Sequence, residues 1–317
     1  MTGNSRLTLS AAALFLALGA VHVSAQNADR KPYTVVETGR SYTRLQDAVD
    51  AIGKGTGTIR FASLRFADCA VQTAGDVTYQ AAVPGQSVLD GVACEDKGAL
   101  VLRGRAARIE GLVFANIRVP DKNGAGIRLE RGDLSVAQAW FRDSEQGILT
   151  ADGPASTIAI DKSTFTRLGT CEGSGCAHSI YIGNYGALTV TRSRFEAGTG
   201  GHYVKARAER VAVLNCSFDD SRGRGTNYMI DLADGATGRI AGNWFVQGRD
   251  KENYSAFIAV AAEHRNHASG GLTIEGNDAR FAAGIDRRSA FVADWSGDAV
   301  QLGANTLGAG LVRFERR

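Results

Sequence analysis

Residues 201–218 read GHYVKARAERVAVLNCSF, and the second half of that stretch decides the fold. From Val211 it alternates apolar and polar residues and closes on Phe218. The same ten-residue pattern occurs as ARIEGLVFAN (107–116), LSVAQAWFRD (134–143), IAIDKSTFTR (158–167), LTVTRSRFEA (188–197), VAVLNCSFDD (211–220) and GRIAGNWFVQ (238–247). Phe114, Phe141, Phe165, Phe195, Phe218 and Phe245 therefore recur at intervals of 27, 24, 30, 23 and 27. LTIEGNDARF (272–281) reads as a degenerate seventh copy. Alternation of this kind is the period of a strand. Gly, Asn, Asp or Ser follows each copy, and these residues permit turns.

A second strand-like run lies between copies: GIRLERG (126–132), GILTADG (147–153), SIYIGNYG (179–186), YVKARAE (203–209), YMIDLADG (228–235), AFIAVAAE (256–263) and AFVADWSG (290–297). No run between them is long enough for a crossover helix. Repeats of about 25 residues holding at least two strands predict a solenoid whose coils stack on one another. The recurrent Phe would form an internal ladder, and inward Asn243 and Asn277 a second one at the turns. The opening YTRLQDAVDAIGKGTGTIRFAS (42–63) spaces Leu45, Ala48, Val49 and Ile52 as a helix does and stops at Gly53. A helix over about 42–53 would cover the open end of the stack, as terminal elements of repeat proteins do.

The first residues, MTGNSRLTLSAAALFLALGAVHVSAQ (1–26), hold a basic Arg6, an apolar run and the small-residue site Val23-Ser24-Ala25. This predicts a signal peptide over 1–25, a single domain over 26–317 and a secreted or periplasmic protein with no membrane span; a membrane anchor is the competing reading. Five cysteines fit an oxidising compartment. Cys171 with Cys176 would close the EGSG loop, Cys69 with Cys94 would join across one repeat, and Cys216 would be a buried free thiol. Zinc is the competing reading of the first pair, but no second ligand pair accompanies it. The net charge is +3, and Lys and Arg are interleaved with Asp and Glu. That pattern argues against a nucleic-acid partner.

SYTRLQDAVDAI (41–52) with GTIRF (57–61), AVPGQSVLDG (82–91) and the coil motifs IEGLVF (109–114) and IAGNWF (240–245) resembles the pectate-lyase-like superfamily, over about Tyr33 to Leu307. The resemblance implies an all-β fold, a right-handed parallel β-helix with an N-terminal capping helix. It also implies, through the superfamily's many polysaccharide lyases, an acidic polysaccharide or oligosaccharide as partner. Some of those lyases use a Lys base with an Arg partner, often with calcium, and Lys205 and Arg207 match them by residue type. There the two residues come from neighbouring coils; here they share one strand. Asp219, Asp220, Asp231, Asp234 and Glu263 are acidic candidates for calcium without a motif, and no other cofactor is implied.

Superposing the second runs stacks Ile180, Val204, Ile230 and Ile258 inward. The next, outward position holds Tyr181, Lys205, Asp231 and Ala259, and a flanking row holds Gly183, Arg207, Ala233 and Ala261. His178, His202, Tyr228 and Ala256 precede them. Coils lie about 4.8 Å apart, so Tyr181, Lys205, Arg207 and His202 converge as candidate catalytic residues, with small residues leaving room for a ligand. β-Elimination on a uronate needs a base, a cation for the enolate-like charge and an acid for the leaving oxygen. Lys205 or His202 is the candidate base, Arg207 the carboxylate partner and Tyr181 the acid, or base and acid in turn. His178, Asp231, Asn253 and Glu263 are candidate substrate-binding residues; Asp231 would orient Lys205 or bind a cation. The bland reading makes Lys205 and Arg207 solvated charge on an exposed strand. A non-catalytic glycan-binding protein, an epimerase, or a hydrolase using Asp219 and Asp220 remain alternatives. His264 and His267, in HRNH, fall in a loop where a metal is an option. Trp140, Trp244 and Trp295 are core or sugar-stacking residues.

Overall fold

Each ten-residue copy folds as two short strands with a corner between them. Asp133–Ala137 and Trp140–Arg142 flank Gln138 at φ 53°, Gly153–Asp161 and Thr164–Thr166 flank Lys162 at φ 48°, and Tyr185–Thr191 and Arg194–Glu196 flank Arg192 at φ 49°. One residue in the left-handed region turns the chain, at about 1–2 kcal/mol when it carries a Cβ. Gly111, Gly242 and Gly276 fill the same corner in other coils without that penalty. The second run supplies a third strand, so each coil is a triangle of three.

The structure, a computed structural model, describes Met1, Gly3 and residues 31–317; the expected signal peptide falls outside the described residues. Lys31–Arg317 form one compact unit. Equivalent strands of successive coils pair in parallel, giving sheets of 12, 10 and 10 strands. The result is a right-handed parallel β-helix. At its start the first sheet is extended by the antiparallel strands Tyr33–Val35 and Arg40–Tyr42. Leu45–Ile52 is helical, buries Leu45, Ala48 and Val49, and packs on the strand Ala70–Gln72. The Leu45 amide donates to Asp68 Oδ2 at 2.8 Å, so the helix start is capped from the first coil. Among the described residues no helix is long and apolar enough to cross a membrane.

The six recurrent Phe residues form the expected ladder. Successive rings stack with centroids 4.8–4.9 Å apart and planes within 12°. In the seventh copy Ala279, not Phe281, pairs with Phe245 and ends it. Gly147 lies on the third sheet where a Cβ would stand 2.9 Å from the Phe165 ring, so glycine there makes room for the ladder. A polar ladder follows the corner. Ser163 Oγ, Ser193 Oγ, Cys216 Sγ and the Oδ1 atoms of Asn243, Asn277 and Asn305 each accept a backbone N–H from the preceding coil. This explains the free Cys216: it is a rung, and burial pushes its thiol up to about 11. Cys69–Cys94 and Cys171–Cys176 are disulfides.

Candidate active site on the third sheet

The third sheet carries the strands Gln146–Thr150, Ile180–Ile182, Val204–Ala206, Ile230–Leu232 and Ala256–Val260. Its register pairs Ile148, Ile180, Val204, Ile230 and Ile258 in one inward row. The next row outward is Leu149, Tyr181, Lys205, Asp231 and Ala259. Alternation puts these side chains on the outer face, and pairing sets them one coil apart.

The small residues do not leave the expected room. Ala233 and Ala259 are fully buried and Ala261 nearly so. Ala259 belongs to a cluster with Tyr228, Ala256, Ala290 and Ala293, against which Trp295 packs. The open space lies on the other side of Lys205, toward the N-terminal coils. It is a groove of about 400 Å³ floored by Leu149, Tyr181, Lys205 and Arg207. His178 and His202 also line it, as does Cys176 of the disulfide-closed loop.

The charged groups form one network. Lys205 Nζ pairs with Glu263 Oε1 and lies 3.3 Å from Asp231 Oδ2. Arg207 pairs with Asp234 Oδ1 and, through its second terminal nitrogen, with Glu263 Oε2. Its Nε donates to the Tyr181 hydroxyl at 3.0 Å. Thus Glu263, on the turn after the fifth of these strands, spans both cations with one carboxylate. His178 Nδ1 accepts the backbone N–H of His202 at 2.9 Å and lies 3.2 Å from His202 Nδ1. His202 Nε2 is 3.5 Å from Asp231 Oδ2.

Burial and these charges set the protonation states. Burial outweighs the opposing pull of Lys205 and leaves Asp231 raised to about 6. Burial opposes the charge on Lys205, but Asp231 and Glu263 outweigh it and hold the ammonium above the usual lysine range. Partial burial raises Glu263, yet hydrogen bonds from Lys205 and Arg207 leave it below the usual carboxylate range. Burial, then Lys205, lowers His178 to about 3. Burial, then His178, takes His202 well below the ordinary imidazole range. The site therefore presents a fixed ammonium, a fixed guanidinium and two neutral imidazoles.

Seven of the eight expected site residues meet here. Asn253 stands apart: its Oδ1 accepts the Ser255 amide at 2.9 Å and closes a local turn, while its neighbours Asn227 and Glu252 line the groove. Asp219 and Asp220 do not form a catalytic pair. Asp220 is fully buried, taking hydrogen bonds from Tyr203, Thr226 and the Gly248 amide and pairing with Lys251 at 3.1 Å. His267 contacts the Arg207 carbonyl oxygen. Asp234, Glu263 and His264 bring one ligand atom each within 4.8 Å of one another. Both carboxylates already hold Arg207 or Lys205, and calcium takes six to eight oxygens, so this set does not fit calcium. Trp140 and Trp244 are exposed on the second sheet, away from the groove. The sequence reading named Asp234 only as an acidic candidate for calcium; its part in holding Arg207 had no signal beyond its place after the strand Ile230–Leu232.

No sequence family and no curated protein matches the chain. Three solved structures resemble it. A PL6 family alginate lyase, AlyGC, is 13% identical with a TM-score of 0.49, over 84% of this chain and 39% of that one. ORF18 of Geobacillus virus E2 is 13% identical with a TM-score of 0.46, over 86% of this chain and 56% of that one. The tailspike gp49 of the Acinetobacter baumannii bacteriophage Fri1, a capsular polysaccharide depolymerase, is 11% identical with a TM-score of 0.36, over 86% and 60%. The chain thus spans between two fifths and three fifths of these proteins' lengths. Its three parallel sheets, stacked coils and cap helix make a right-handed parallel β-helix.

Proposed function

We propose that the protein is an exported lyase that cleaves an acidic, uronate-containing polysaccharide by β-elimination in this groove. One observation carries the reading: Lys205 and Arg207 meet on a single carboxylate, that of Glu263, with the Tyr181 hydroxyl hydrogen-bonded to Arg207. A uronate carboxylate set between the same cations would place its ring beside Tyr181. The proton at C5 then goes to the base, its electron pair forms the C4=C5 double bond, and the C4–O4 bond breaks onto an oxygen that receives a proton. Lys205 and Arg207 stabilise the charge that builds on the carboxylate. Lys205, held charged by two carboxylates, suits this role better than that of base. Tyr181 is base and then acid: its phenolate oxygen, stabilised by the Arg207 Nε–H, takes the C5 proton, and the phenol so formed gives that proton to O4. His178 and His202 are neutral hydrogen-bonding groups at the edge.

The test is to incubate the mature protein with a panel of acidic polysaccharides and follow the ultraviolet absorbance of the unsaturated uronate. Tyr181→Phe and Arg207→Ala should each abolish the rise. A rise that survives both would move the site elsewhere, and new reducing ends without absorbance would make the protein a hydrolase. A second reading, a glycan-binding protein without turnover, has one observation in its favour: both groove cations are already paired with protein carboxylates.

A further inference from the structure

We infer that Glu263 is a built-in occupant of the groove's carboxylate subsite, and that its side chain must swing out before the acid group of a glycan can enter. The inference rests on Lys205 and Arg207 being the carboxylate-binding pair proposed above. Each Glu263 oxygen takes a different cation, Oε1 the Lys205 ammonium and Oε2 the Arg207 guanidinium. That is how a planar, two-oxygen ligand sits between two donors. The other two carboxylates on these cations are built in differently. Asp231 is 2% exposed on its strand and Asp234 is 5% exposed, also held by Asn266 Nδ2 at 2.8 Å. Glu263 has a side chain 36% exposed. Its backbone is tied, because the amides of Glu263 and His264 both donate to the Ala233 carbonyl at 3.0 Å. The part free to move is therefore the side chain. What leaves is a carboxylate, so what the vacated place fits is a carboxylate, in preference to a sulfate ester or a neutral hydroxyl.

The experiment titrates wild type, Glu263→Gln and Glu263→Ala with sodium glucuronate, with glucose and glucose 6-sulfate as controls, by calorimetry. A competent fraction limited by Glu263 weakens apparent binding by that fraction, so both variants should bind glucuronate about tenfold tighter or more. Glucose should not change, and glucose 6-sulfate should gain less. Adding Arg207→Ala should remove the gain. Unchanged or weaker glucuronate binding in both variants would overturn the inference and make Glu263 a residue that positions the cations. A wild-type measurement guards against a poorly folded variant: saturating glucuronate should shift the Glu263 carboxyl carbon resonance, and a resonance that stays in place also overturns it. The two readings fail separately. Tighter glucuronate binding with no unsaturated product from any glycan removes the lyase and keeps the subsite. Turnover with a KM untouched by Glu263→Gln does the reverse.

Discussion

Lowering the pH from about 6 to about 4.5 sets two buried imidazoles against the buried carboxyl beside them, and the balance can be worked out. His178 is lowered from 6.5 to about 3. The unfolded chain protonates it below about 6.5 while the folded chain does not, so its contribution is present above that pH and is lost as pH falls. His202 shifts in the same direction. Asp231 is raised from 3.8 to about 6, so in this window the folded chain holds a proton that the unfolded chain lacks. Its contribution grows as pH falls through about 6. Each proton is worth about 1.4 kcal/mol per pH unit, or about 2 kcal/mol over the window. His178 and Asp231 about offset each other, and His202, lowered like His178, tips the three toward a loss on acidification. In His178→Asn/His202→Asn the loss should be smaller than in the wild type, by about 2 kcal/mol from His178 alone. In Asp231→Asn the loss should exceed that of the wild type by about 2 kcal/mol. Urea unfolding at the two pH values, read as midpoint and slope, measures each difference. A double histidine variant that loses as much as the wild type would refute the protonation states assigned here.

Other variants report on separate parts of the structure. Lys205→Met strands Asp231, whose Oδ1 already lacks a hydrogen-bond partner, and should cost about 3–5 kcal/mol in urea unfolding; adding Asp231→Asn should restore most of it. Phe195→Ala removes a ring stacked on both sides and should lower stability by about 3–5 kcal/mol, while Ser217→Ala on the outer face should change little. Gly147→Ala would set a Cβ 2.6 Å from the Ser179 carbonyl oxygen and 2.9 Å from the Phe165 ring, so a fall of about 1–3 kcal/mol is expected and an unchanged midpoint would show that the ladder can shift.

What could be read from the chain follows from what its periods encode. Period two determines which residues share a row, so the inward Ile180, Val204, Ile230 and Ile258 and the outward Tyr181, Lys205 and Asp231 followed from alternation alone. The Phe spacing marked the coils for the same reason. The split of each copy into two strands was not legible, because Gln138, Lys162 and Arg192 turn the corner where composition would call for glycine. Residues on the turns were harder still. Coil lengths vary from 23 to 30 residues, and that variation lies in the turns, so register is lost there. Asn253 is the expected substrate-binding residue, but Asn227 and Glu252 line the groove in its stead. The outward Ala259 was read as open space because alternation gives direction and says nothing of what packs above, here Tyr228 and Trp295.

Two cations facing three carboxylates also constrain how an acidic chain enters. Lys205 and Asp231 are buried, and separating such a pair leaves a charge without solvent, which is costly. The contacts of Glu263 are partly open to water, where ion pairs are worth little and exchange readily. On the proposed reading an arriving uronate would replace Glu263 and leave Asp231 and Asp234 in place, still orienting Lys205 and Arg207 from behind. The exchange swaps one carboxylate for another, so the charge of the cluster does not change as the ligand binds. What changes is the attached group: a tethered side chain gives way to a sugar ring whose C5 proton lies next to the carboxylate. Cations held from behind by buried acids do not need to reorganise when charge then builds on that carboxylate. This is the arrangement by which fixed charges favour a transition state over the bound substrate. On the proposed lyase reading, paired cations, which alone would suggest a passive binding surface, are therefore compatible with turnover.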